Sequence, residues 1–194
     1  SNIKSFEKYL LAANFGVIAV ISVAMIANLP SPLLPLQLLW INLVTDGTAG
    51  LALAFEKSQK SQKETPAFFQ DIFGKFLWRK IFLIAIFMTF GVIFIYYFSL
   101  RTLPLELARS AAFIGLIFFS VLNVLNARSL EESLFRLPPF SNLFVWVSVF
   151  VSLILSLLTL YFPIFQKAFG LASLPGIYLL EILFMSFAII GVME

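Results

Sequence analysis

The sequence predicts an all-α fold: a polytopic transmembrane helical bundle of six spans with both termini in the cytoplasm. Three observations carry this. Of 194 residues, 61% are hydrophobic and only 12% charged, where soluble domains run nearer a quarter charged. The apolar residues stand in continuous runs, not in alternation, which points to helices rather than a barrel. Finally, ten of the thirteen lysines and arginines fall in the N-terminal start and in alternate loops, which sets an orientation. The mean hydropathy of +1.00 agrees.

Composition also excludes chemistry. With no cysteine there is no disulfide framework, thiolate metal site or thiol nucleophile. With no histidine, the commonest general base and zinc ligand is missing. A net charge of +3 is too thinly spread to read as a nucleic-acid surface, and no nucleic-acid partner is expected. The charges read as topology signals instead. The start, Ser1-Asn2, carries no signal-peptide pattern, and the chain reads as a piece of a longer protein.

In order, the first span is expected at about 9–29, after a polar start with Lys4, Glu7 and Lys8. Pro30, Pro32 and Pro35 then force a turn of a few residues, so the second span, about 36–55, returns at once. About 20 residues suffice to cross a hydrocarbon core of ~30 Å. Residues 56–80 form the longest polar loop, with an aromatic patch at Phe68, Phe69 and Phe73 read as a short piece lying along the membrane surface. The remaining spans are expected at about 81–100, 108–126, 142–162 and 174–192. A second cytoplasmic loop covers 127–139, and residues 163–173 form a loop on the opposite side.

One stretch stands out, Asn42-Leu43-Val44-Thr45-Asp46-Gly47 in the second span. Asn42, Thr45 and Asp46 are spaced i, i+3, i+4 and would share one helix face. All three offer oxygen, which hard cations such as calcium prefer. Gly47 and Gly50 weaken the helix, and a loosened turn frees backbone carbonyls as further ligands. A carboxylate at membrane depth marks a functional site by default. The alternatives are an acid at the headgroup boundary or polar glue between helices.

Other polar residues read more blandly. Asn14 in the first span could reach the Asn42 face, though an interhelical hydrogen bond is the simpler role. Ser120, Asn123 and Asn126 form a line in the fourth span, with Asn123 and Asn126 read as packing glue. Glu181 reads as an interfacial acid, and Tyr96, Tyr97, Trp146, Tyr161 and Tyr178 as belt or lipid-facing residues. No phosphate loop, Ser/His/Asp set or facing acid pair appears, so the chain alone is expected to lack ATP hydrolysis.

These stretches resemble a known family. The Asn42–Gly47 motif within Pro35–Gly47, together with Asn2-Ile3-Lys4, Tyr9-Leu10-Leu11, Ala52–Glu56, Asn123–Ser129, Leu134–Phe140 and Ile190-Gly191, resembles the C-terminal membrane half of P-type cation ATPases. That half comprises the family's helices five to ten, and the likeness is greatest to calcium ATPases of the sarcoplasmic-reticulum type and their bacterial relatives. It covers essentially all of 1–194. The resemblance implies Ca2+ as the transported ion, with Asn42, Thr45 and Asp46 as ligands and Asn14 in the place of a fifth-helix ligand. Two acidic ligands of the two-site members are absent: Val17 and Ser120 stand in their positions. A single-ion pump is therefore implied, with sodium or manganese also open.

The resemblance further implies that ATP and Mg2+ are served by domains outside this chain. The expected partners are the first four membrane helices and the phosphorylation domain, which docks on the 56–80 loop. The expected setting is the lipid bilayer, the plasma membrane if the source is bacterial. Against the pump stand a helical membrane module that binds partners without pumping, and a gradient-driven secondary transporter. The missing internal repeat argues against the second of these.

Overall fold

The computed structural model describes residues 2–54, 67–127 and 143–193, with side chains described for 9–50, 52, 78–124 and 143–187. The expected 127–139 loop falls almost wholly outside them, as do residues 55–66. The described residues contain helices and no strand. They are α1 (Asn2–Ile26), α2 (Pro35–Trp40), a π-helical segment (Ile41–Asp46), α3 (Gly47–Ala54), α4 (Ala67–Thr102), α5 (Leu105–Ala127), α6 (Leu143–Tyr161), α7 (Pro163–Phe169) and α8 (Gly176–Met193). Four of them, α1, α4, α5 and α6, are long and apolar enough to cross a membrane.

The core is built around α5. Of its apolar stretch Leu105–Val124, 89% is buried, because α1, α4, α6 and α8 all pack against it. That closeness needs a small residue. A Cβ on Gly115 would sit 3.1 Å from Ile95 Cδ1 of α4 and 3.7 Å from Ile182 Cγ2 of α8.

On α4 the buried residues Ile81, Ile84, Ala85, Met88, Val92 and Ile95 recur every three or four positions. The opposite face is apolar too. Phe90, Phe94 and Phe98 are exposed and line it, Phe90 stacked on Phe94 and Phe94 tilted against Phe98, with centroids 6.1 and 4.5 Å apart. A helix apolar all round suits a lipid surrounding.

The proline-rich turn is closed chemically. Asn28 has φ +53°, and two hydrogen bonds, Asn28 N to Met25 O and Leu29 N to Ala24 O, end α1 in a Schellman motif. Tyr96 Oη donates to Pro30 O at 2.9 Å, and Arg109 Nε donates to Ser31 O at 3.0 Å. At the start of α2, Gln37 Oε1 accepts from Leu34 N at 3.0 Å, while its Nε2 donates to Phe169 O at 2.8 Å.

Three sequence expectations are corrected. The aromatic patch at 68–73 is not a separate surface piece, since α4 runs unbroken from Ala67 into the span. Charged side chains do not end a helix, and the single Gly74 costs only about 1 kcal/mol. Residues 163–173 are not wholly loop: α7 forms with Pro163 in its first turn and Gly170 closing it at φ +62°. Tyr96 is buried, not lipid-facing, because its hydroxyl ties off the turn carbonyls. By contrast, Tyr97 is exposed and bonds to Arg101.

Candidate functional site

The second apolar run is helical from Pro35 to Ala54, but its centre, Ile41–Asp46, is wound as a π-helix. Such segments are rare and gather at functional sites. The glycine after it is not there for a left-handed turn. Gly47 has φ −63°, and a Cβ on it would meet only Asn42 O, at 3.8 Å. What it contributes is low helix propensity beside the widened turn.

Asp46 is 3% exposed, and Tyr9 Oη of α1 donates to its Oδ1 at 2.7 Å. The tyrosine itself is fully buried. A buried carboxyl must be hydrogen-bonded to be tolerated, and Tyr9 supplies that partner across the α1–π interface. Thr45 is fully buried and its Oγ1 has no hydrogen-bond partner among the described residues. The same holds for Ser120 Oγ and for both side-chain polar atoms of Asn123 on α5, which packs against the π segment. Each such orphan costs about 1–3 kcal/mol.

The expected trio is split. Thr45 and Asp46 face the interior, whereas Asn42 is exposed. A π turn holds more residues than an α turn, which swings Thr45 away from Asn42. Asn14 is half-buried, and its Nδ2 donates to Leu10 O, one turn back on its own helix, at 2.9 Å. Among the described residues Asn14 and Asn42 share no hydrogen bond.

Asn123, read from the sequence as packing glue, is buried, and its amide makes no bond among the described residues. The side chain of Asn126 lies outside those described. Glu181 is exposed on α8. Tyr9 was missed by the sequence reading as a site residue: it stood only within the family-like stretch Tyr9-Leu10-Leu11, and its pairing with Asp46 is what marks it.

The chain can also be compared with known proteins. The family model for the cation transporting ATPase C-terminus matches residues 30–194. The chain is 35% identical over 190 residues to a calcium-transporting ATPase of Bacillus subtilis (strain 168), covering 93% of this chain and 21% of that protein. It is 32% identical over 188 residues to calcium-transporting ATPase type 2C member 1 of Homo sapiens, covering 95% and 20%. Against calcium-transporting ATPase type 2C member 2 of Rattus norvegicus it is 30% identical over 183 residues, covering 92% and 19%. The chain thus spans about a fifth of the length of these curated relatives.

Proposed function

The chain belongs to the P-type cation-transporting ATPases, as part of their C-terminal region, and from that premise we propose that it forms the ion-carrying membrane half of an ATP-driven Ca2+ pump. The observation that carries this reading is Asp46, a buried carboxyl on a π-wound segment of an apolar helix, held by Tyr9. Asp46 supplies charge and Thr45 a neutral oxygen; the orphaned hydroxyl of Thr45 gains a partner when a cation arrives. Asn42 lies on the face left open by this chain, where the first four membrane helices of such a pump would dock. Asn14 completes the proposed ligand set from α1 through its amide oxygen, its Nδ2 being the atom engaged on Leu10 O.

The bundle crosses the membrane six times in this reading, with α2, the π segment and α3 as one span and α8 as the last. Both termini and the 56–80 and 127–139 segments are cytoplasmic, as the distribution of lysine and arginine supports. ATP and Mg2+ act through domains that such pumps carry outside this region, and the membrane is the plasma membrane if the source is bacterial. Asp46 is the one carboxylate among the proposed ligands, with Val17 and Ser120 where two-site pumps carry acids. That supports one Ca2+ per cycle. The test is calcium bound per phosphorylation site in the full-length pump. One supports the reading, two overturns the single site, and phosphorylation driven by sodium or manganese but not calcium overturns the ion assignment.

A further inference from the structure

The widened turn is held from the far side by α6. Thr48, at the start of α3, has its Oγ1 2.6 Å from Val44 O and 3.3 Å from Thr45 O. Ser152 Oγ of α6 lies 2.8 Å from Thr48 Oγ1 and 3.4 Å from Val44 O. Each hydroxyl carries one proton. The assignment that uses the shorter contacts has Ser152 donating to Thr48 and Thr48 donating to Val44 O. On the other flank, Trp40 Nε1 donates to Ser156 Oγ at 3.4 Å. Ser148, Ser152 and Ser156 are all buried, so α6 turns a line of small hydroxyls inward at four-residue spacing, and two of them meet the residues bracketing the π segment.

A loosened helix would be expected to offer freed carbonyls to an ion. Here the carbonyl of Val44 is already engaged, by the Gly47 N–H and by Thr48 Oγ1. That carbonyl is therefore not free for an ion, whereas the Oγ1 of buried Thr45 has no partner among the described residues.

We propose that Thr48 and Ser152 are positioning residues for the cation site: their hydroxyl relay holds the π geometry of Ile41–Asp46 and keeps the Val44 carbonyl out of the coordination shell. This rests on the transport reading above. Ordinary interhelical glue would support stability without touching ion affinity, so affinity is the readout that separates the two roles.

The experiment is a calcium titration of phosphoenzyme formation in the full-length pump. The variants are Thr48→Val, Ser152→Ala, the double variant and Thr48→Ser. Thr48→Val and Ser152→Ala should each raise the calcium needed for half-maximal phosphoenzyme by about three- to ten-fold, the worth of one hydrogen bond. The maximum at saturating calcium should hold. Thr48→Ser, which keeps the hydroxyl, should stay near wild type, and the double variant should be no worse than Thr48→Val alone, because one relay is broken either way. Wild-type affinity in both single variants, or additive losses in the double, overturns the proposal. If Thr48→Val fails to accumulate, Ser152→Ala against Thr48→Ser decides it, since each is a minimal change. A wild-type pump forming no ion-dependent phosphoenzyme overturns the transport reading, and this inference with it.

Discussion

The hydroxyl of Tyr9 donates to Oδ1 of Asp46 at 2.7 Å, joining α1 to the π segment across 37 residues of sequence. Both residues are buried, so the bond is not shared with bulk solvent. A hydrogen bond to a carboxylate in such surroundings is worth about 1.5–3 kcal/mol. It also fixes the direction of the carboxyl, leaving the second oxygen for another partner.

Tyr9→Phe tests that bond with the ring retained. The variant should lower the thermal unfolding midpoint in detergent, by an amount corresponding to about 1–3 kcal/mol, because Asp46 is left one partner short. It should also weaken calcium-dependent phosphorylation of the full-length pump, but by less than loss of the carboxylate does. Unchanged melting and unchanged affinity together would make the contact incidental.

Removing an orphaned polar group should have the opposite sign on stability. Thr45→Val keeps the shape of a fully buried side chain and deletes a hydroxyl without a partner. Asn123→Leu does the same for an amide on α5. Each should leave thermal stability unchanged or raise it by about 1 kcal/mol. Only Thr45→Val should also cost calcium affinity, since Asn123 is not among the proposed ligands. A fall in stability for both variants would mean that these groups are satisfied in the folded protein.

Gly170 makes a purely structural prediction. It closes α7 at φ +62°, and a Cβ there would lie 2.7 Å from Leu34 Cδ1. Gly170→Ala therefore meets both a disfavoured backbone region and a clash, costing about 1–2 kcal/mol. Calcium affinity should be unaffected, because the site lies on other elements. Full thermal stability in this variant would count against the left-handed closure.

The sequence carried the apolar runs, the tight proline turn and the Asn42–Gly47 motif, because each is a local signal. What it hid depended on partners distant in the chain. The i, i+3, i+4 spacing assumed an α-helix; Gly47 and Gly50 announced a loosened turn there, but not that Ile41–Asp46 winds as a π-helix. Tyr96 looked like a belt aromatic until Pro30 was seen as its acceptor, and Tyr9, quoted only within a stretch of family likeness, had no role until Asp46 was seen as its acceptor. The hydroxyls of α6 drew no reading from the sequence, and only their register against Trp40 and Thr48 gives them a role. In α4 and α7, polar or loop-like composition masked helix, because composition reports solvent exposure more directly than backbone conformation.

The last prediction concerns Asp46 itself. It is the only one of Asn42, Thr45 and Asp46 that can bring a full charge to the ion, and in a low-dielectric interior that charge offsets much of the hydration a divalent cation gives up. Neutral oxygens are more dispensable, because calcium accepts six to eight ligands in flexible geometry. Asp46→Asn keeps the shape, and its amide oxygen can still accept the Tyr9 hydroxyl, so the helices should insert and pack as before. Removing a carboxylate from membrane depth also lifts a desolvation cost, so the ion-free protein should be at least as stable as the wild type. High-affinity calcium binding should nevertheless be abolished, and ion-dependent phosphorylation from ATP with it. Asn42→Ala should weaken binding by less and Thr45→Ala by less again. The measurement is a calcium titration of phosphoenzyme formation for all three variants in the full-length pump, beside their melting curves. Near-wild-type affinity in a well-folded Asp46→Asn variant would place the ion elsewhere in the bundle.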